Sequence, residues 1–87
     1  MSWIIEIDIQ AEKDLDWFRK NNKNLYIKCF DLTRTVMKNP FKGIGKPEHL
    51  KGLGENIWSR RITLEHRMVY KIEDNRIIVA SYRYHYT

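Results

Sequence analysis

The spacing of apolar positions changes along the chain, and each change marks an element. Trp3-Ile4-Ile5-Glu6-Ile7 is apolar and β-branched, with polar residues beginning to alternate at its end, and predicts a first strand. Asp8 follows with a side chain suited to a helix N-cap. Ala11, Leu15 and Phe18 then fall on one helical stripe. Asn21-Asn22-Lys23-Asn24 interrupts that stripe and predicts a tight connection. A second stripe runs through Leu25, Cys29, Leu32 and Val36, with Phe30, Thr33 and Met37 expected to widen the same face. Asn39-Pro40 ends it, because the residue before a proline is driven out of the helical region.

Residues 38–56 hold all four glycines and both prolines. They predict a loop with at most a short strand near His49-Leu50-Lys51. Long loops in a compact domain usually serve a function, so this one is taken as part of a site. Three strands follow: Ile57–Thr63, His66–Glu73 after a Leu64-Glu65 turn, and Arg76–Tyr84 after the hairpin turn Asp74-Asn75. The expected architecture is α+β, in the order β-α-α-β-β-β, with two helices packed on one face of an antiparallel sheet and the other face open. Taking Asp74-Asn75 as the turn pairs Ile72 with Ile77, Tyr70 with Val79 and Met68 with Ser81. Strict alternation then puts Arg67 on the face of Tyr82, Tyr84 and Tyr86 and turns Arg83 and His85 away.

At 87 residues the chain is expected to be one domain, 1–87. No apolar run approaches the roughly 20 residues of a membrane span. The N-terminus lacks the basic and apolar regions of a secretory leader, and a lone cysteine closes no internal disulfide. A reduced, cytoplasmic location is expected, without a membrane. The net charge of +5 lies entirely in residues 38–71, where eight Lys and Arg meet three Glu. Such a segment suits a polyanion, either nucleic acid or an acidic protein, with a solubilising surface as the bland alternative.

Candidate chemistry is sparse. Lys42-Gly43-Ile44-Gly45-Lys46 lacks the spacing and the following Ser or Thr of a phosphate-binding P-loop. Cys29 sits on an apolar stripe and is assigned to the core. What remains is Glu48, three histidines, the arginines and the C-terminal tyrosines. A carboxylate, a histidine and an arginine suffice to cleave RNA, whose 2′-hydroxyl is its own nucleophile, and neither metal nor cofactor is then expected. His66 is expected to serve structure or a substrate edge, and His49 to be exposed. Arg60 and Arg61 alternate faces, so one alone can line a site.

Three segments resemble a known family. Asn39-Pro40-Phe41-Lys42-Gly43-Ile44-Gly45-Lys46-Pro47-Glu48-His49-Leu50-Lys51 is similar to the N/TPF-x-G-x-GKPE-x-LK segment of the YoeB/Txe toxins. Trp58-Ser59-Arg60-Arg61-Ile62-Thr63 with Glu65-His66-Arg67-Met68-Val69-Tyr70 is similar to their WSRRIT-x-EHR run, and Tyr82-Arg83-Tyr84-His85-Tyr86 to their C-terminal RYHY. Thr87 after the tyrosine, and His49 where proline is common, are departures. The resemblance implies a RelE-superfamily fold like that of microbial RNases. It also implies the toxin of a type II toxin–antitoxin module, an mRNA endoribonuclease acting in the ribosomal A site. A cognate acidic antitoxin of the YefM/Axe kind is the implied partner, and a homodimer is compatible with it. By residue, the resemblance implies Glu48 as general base, His85 as general acid, Arg67 as the transition-state cation and Tyr86 as the terminal tyrosine of the site. Lys51 and Arg61 fall on RNA-backbone positions, with Lys46 and Tyr84 as further RNA contacts. Arg60 is left as a salt-bridge or surface residue. The alternative is a catalytically silent RNA- or antitoxin-binding module of the same fold.

Overall fold

The computed structural model describes residues 3–84. A five-stranded sheet is built from β1 (Ile4–Ile7), β2 (Glu48–His49), β3 (Ile57–Arg61), β4 (Arg67–Glu73) and β5 (Arg76–Tyr84), in the spatial order β1-β5-β4-β3-β2. Two helices, α1 (Ile9–Asn21) and α2 (Lys23–Lys38), pack on one face. The α+β class and the antiparallel β3-β4-β5 meander are as expected. The first strand adds one parallel pair, Ile5 opposite Ile77 and Ile7 opposite Val79, so the sheet is mixed. The long connection that a parallel neighbour requires runs from β1 through both helices and then β2, β3 and β4 before reaching β5.

Several local expectations need correction. Asp8 occupies the N-cap position of α1, yet its side chain makes no cap hydrogen bond. The interhelical connection narrows to Asn22 alone, whose side chain caps α2 by accepting from Leu25 N at 3.2 Å. Cys29, Leu32 and Val36 are buried, but Phe30 and Met37 point outward, and Thr33 sits at the edge with its hydroxyl 2.7 Å from that of Tyr82. The β3–β4 turn is wider than Leu64-Glu65. Thr63 Oγ1 accepts from the amides of Glu65 and His66, and both strands end outside residues 62–66. The β4–β5 hairpin turns at Asp74-Asn75 as expected, with Asp74 at a left-handed φ of 54°. The short strand of the loop falls on Glu48–His49, and a 3₁₀ turn covers Lys51–Leu53.

Burial pushes the Cys29 thiol up to about 12, so it is an apolar filler rather than a nucleophile near neutral pH. His66 is buried edge-on against Phe18, with ring centroids 5.2 Å apart, and against Trp17, which assigns it to packing. Among the described residues, no helix is long and apolar enough to cross a membrane.

Candidate active site

The basic loop is shaped from beneath. Asn39 ends α2, and its side-chain oxygen accepts from the amides of Phe41 and Lys42, turning the chain back over the sheet. Arg60 lies under this turn, fully buried. Its guanidinium donates to the carbonyls of Asn39 (2.5 Å), Lys42 (3.0 Å) and Ile44 (3.3 Å) and to the Tyr70 hydroxyl (3.3 Å). The Tyr70 hydroxyl in turn donates to the Pro40 carbonyl at 2.5 Å. Burial holds the Tyr70 phenol above its ordinary pKa, an effect that Arg60 partly opposes, so it stays a donor. Arg60 is therefore neither a surface residue nor a salt-bridge partner. It is a buried clamp whose acceptors are neutral, and a planar fork with five donors is what lets one side chain hold three carbonyls.

Two glycines let the loop approach this closely. A Cβ on Gly43, at φ 135°, would lie 2.7 Å from Arg60 Nη1 and 2.8 Å from Thr35 Cγ2. A Cβ on Gly45, at φ 84°, would lie 3.0 Å from Leu32 Cδ2 and 3.1 Å from the Arg61 carbonyl. The Arg61 amide then donates to the Gly45 carbonyl at 2.6 Å, tying the loop to β3. From there the chain pairs Glu48 with Ser59 and His49 with Trp58. The exposed His49 ring stacks on the Trp58 indole at 5.1 Å.

These pairings put Glu48, Arg61, Arg67 and Tyr84 on the open face. Arg61 is directly opposite Arg67, and Arg67 is directly opposite Tyr84, so one row crosses three strands. Arg67 Nη1 lies 3.7 Å from Glu48 Oε2, with Arg67 mostly buried and Glu48 mostly exposed. Arg61 and Arg67 face each other as like charges, and Glu48 places a carboxylate 3.7 Å from Arg67. The row thus places two guanidinium groups beside a carboxylate on one face of the sheet.

The expected register holds for Ile72 with Ile77 and Tyr70 with Val79, then fails. Ser81 faces Val69 rather than Met68, and Tyr84 faces Arg67 where strict alternation places Tyr82. Two irregularities in β5 produce the shift. Such bulges re-aim side chains and are common beside active sites. Tyr82 consequently turns into the core, and Arg83 turns toward α1 with its guanidinium carbon 3.7 Å from the Trp17 ring centre. The second irregularity is held by Asp14, a buried carboxylate of α1 that accepts from the amides of Tyr82 (2.9 Å) and Arg83 (3.2 Å). Hydrogen bonds to a charged acceptor contribute about 1.5–3 kcal/mol each. Asp14→Ala is expected to lower the unfolding free energy by about 2–4 kcal/mol. Urea unfolding checks this, and a midpoint unchanged from wild type would show the bulge to be held by β5 alone.

Lys46, at φ 50°, and Lys51, at the head of the 3₁₀ turn, are both exposed on the chain segments flanking Glu48. His85 and Tyr86 lie outside the described residues. The structure thus brings together Glu48, Arg61, Arg67 and Tyr84 among the expected site residues. It adds Arg60, Tyr70 and Asp14, which hold the site without lining it. Asp14 carried one signal in the sequence, an acidic residue between Ala11 and Phe18 on a helical stripe destined for the core.

Comparison with known proteins gives the family of the chain. Residues 8–86 match the family described as YoeB-like toxin of bacterial type II toxin–antitoxin system. The chain is 45% identical over 73 residues to toxin YoeB of a Synechocystis species, covering 84% of this chain and 85% of the relative. It is 41% identical over 73 residues to toxin YoeB of Escherichia coli K12, covering 84% and 87%. The YoeB dimer of Staphylococcus aureus superposes with a TM-score of 0.88 at 40% identity, covering 99% of this chain and all of that one. YoeB in a heterotetrameric YoeB–YefM complex of the same organism superposes at 0.82 with 41% identity and the same coverage. With a family match running from the end of β1 to Tyr86 and whole-chain likeness in both sequence and fold, the chain belongs to the YoeB-like toxins of bacterial type II toxin–antitoxin systems.

Proposed function

We propose that this toxin is an mRNA endoribonuclease acting in the cytoplasm on message in the ribosomal A site, by metal-independent acid–base catalysis. The observation that carries the reading is the Glu48–Arg67 contact at 3.7 Å beside the facing Arg61. A scissile phosphate seated between the two arginines would bring its neighbouring 2′-hydroxyl toward the Glu48 carboxylate. Glu48 takes the 2′ proton as the 2′ oxygen bonds to phosphorus. Arg67 and Arg61 neutralise charge growing on the phosphoryl oxygens, and His85 gives a proton to the departing 5′ oxygen. The products are a 2′,3′-cyclic phosphate and a 5′-hydroxyl, found by mass spectrometry of a cleaved oligonucleotide. A 5′-phosphate product, or a chemical step that fails in chelator, would sink the mechanism.

Lys46, Lys51, Arg61 and Tyr84 bind the strand around the cleaved bond. Arg61→Ala and Lys51→Ala should each weaken RNA association almost independently of sequence and reduce the salt slope by about 1. Slopes equal to wild type in both variants would remove them from the backbone contacts.

The antitoxin partner is an acidic YefM-like protein whose disordered segment folds over the basic loop and the open sheet face. The YoeB–YefM complexes of the S. aureus relative support this partner, and that relative's dimer supports self-association. Co-expression with the neighbouring acidic reading frame should give a complex surviving purification, and toxin alone should slow growth. Toxin that is harmless alone and captures no such neighbour would favour a silent module.

A further inference from the structure

The open face carries a cavity of about 330 Å³ beside the arginine row. That lies at the lower end of the roughly 300–1,000 Å³ typical of small-ligand sites. Its walls are largely apolar, from Ile57, Val69, Ile78, Ala80 and Tyr84, while Asp8 and Lys71 add charge. It is continuous with that row in two ways. Tyr84 lines it and is also the cross-strand neighbour of Arg67. Val69 lines it too, two residues along β4 from Arg67, or about 7 Å at the strand rise. That is close to the reach from a phosphate to the base of the same nucleotide.

Asp8 adds specificity. An Asp at an N-cap ordinarily spends its carboxylate on the first turn of the helix. Here it makes no such bond and contributes to the cavity wall instead. Single-stranded RNA is recognised by splaying a base onto an aromatic ring and hydrogen-bonding its edge, which a pocket with one tyrosine and one uncommitted carboxylate provides.

We propose that this cavity seats the nucleobase adjoining the phosphate held by Arg61 and Arg67, with Tyr84 stacking on it and Asp8 accepting from N–H groups on its edge. A carboxylate accepts two parallel bonds best, so a base with two adjacent N–H donors, as guanine has, gains most. The inference rests on the RNA-cleavage reading above.

Titration of guanosine, adenosine and cytidine 3′-monophosphates and of inorganic phosphate into isotope-labelled protein, followed by amide shifts, tests it. The guanosine nucleotide should bind at least tenfold more tightly than inorganic phosphate and shift the amides of Ile78 and Ala80. Filling the cavity with Ala80→Leu should abolish that advantage and leave phosphate affinity unchanged. Asp8→Asn, at an exposed position where folding is not at risk, should cut the preference for guanine over cytosine about tenfold. Nucleotides that bind no better than phosphate, or an Asp8→Asn protein with unaltered base preference, would overturn the proposal. So would an Ala80→Leu protein that keeps nucleotide binding but loses the acidic antitoxin, since the cavity would then take an apolar protein side chain. Cleavage assayed in parallel separates the two readings. RNA cut normally without the base pattern removes the base site alone, whereas the base pattern in a protein that never cuts RNA removes the nuclease reading alone.

Discussion

Glu48→Gln, Arg67→Ala and His85→Ala should each slow single-turnover cleavage of a short RNA by about 10²–10⁴-fold. The three differ in what else they change. Glu48 is the acidic partner of Arg67 at 3.7 Å and stands beside two facing arginines. Neutralising it removes the proposed base and also a negative charge that would compete with RNA phosphate. Glu48→Gln should therefore bind uncleaved RNA as tightly as wild type or more tightly while the chemistry slows. Arg67→Ala should lose both, because in the proposed mechanism Arg67 holds the phosphate in the ground state and more strongly in the transition state. The Glu48→Gln/Arg67→Ala double variant should fall short of the product of the single effects, since residues in contact and acting on one step are not additive. Rapid-quench rates with saturating enzyme, set beside affinity for a 2′-deoxy-substituted strand, separate these terms. A Glu48→Gln protein that loses affinity and keeps its rate would make Glu48 a binding residue.

The parts of the fold built from local periodicity were legible in the sequence, and the parts built from exceptions to it were not. The stripe through Cys29, Leu32 and Val36, the Asp74-Asn75 hairpin and the alternation of Ile77 and Val79 each follow one period and came out where that period puts them. Tyr82 did not, and Tyr84 kept the face of Arg67 only with its pairing shifted, because two extra residues in β5 leave no trace in a run of tyrosines and small residues. The amides that such irregularity strands are taken up by Asp14, 68 and 69 residues away in sequence, a pairing no local pattern displays. The candidate site was legible where chemistry limited the choice. Glu48 and Arg67 stood out as a carboxylate and a cation in a basic segment, and the resemblance assigned their roles. Their supporting residue was missed because an arginine next to another arginine reads as surface charge. Only the fold shows that Arg60 turns inward under Gly43 while Arg61 turns outward to Arg67.

Arg60→Met should therefore be among the most damaging substitutions outside the reacting groups. It leaves the carbonyls of Asn39, Lys42 and Ile44 without their donor and takes one partner from Tyr70. Each buried acceptor left unsatisfied costs about 1–3 kcal/mol, reduced where the loosened loop admits water. A net loss of about 3–5 kcal/mol is expected, a large share of the roughly 5–15 kcal/mol that holds a small domain together. Arg60→Lys should recover little of it, since one ammonium cannot span three carbonyls and a phenol. The consequence for activity follows from the path of the chain. The loop that Arg60 fixes runs through Gly45, which is bonded to the Arg61 amide, and then directly into Glu48. Residual folded protein should thus show slower cleavage as well as weaker RNA binding, in contrast to Lys51→Ala, which should affect binding alone. Urea midpoints with single-turnover rates measured well below them check both. An Arg60→Met protein with wild-type stability would mean that the carbonyls find other donors. One with lower stability but an unaltered cleavage rate would mean that β2 holds Glu48 in place without the clamp.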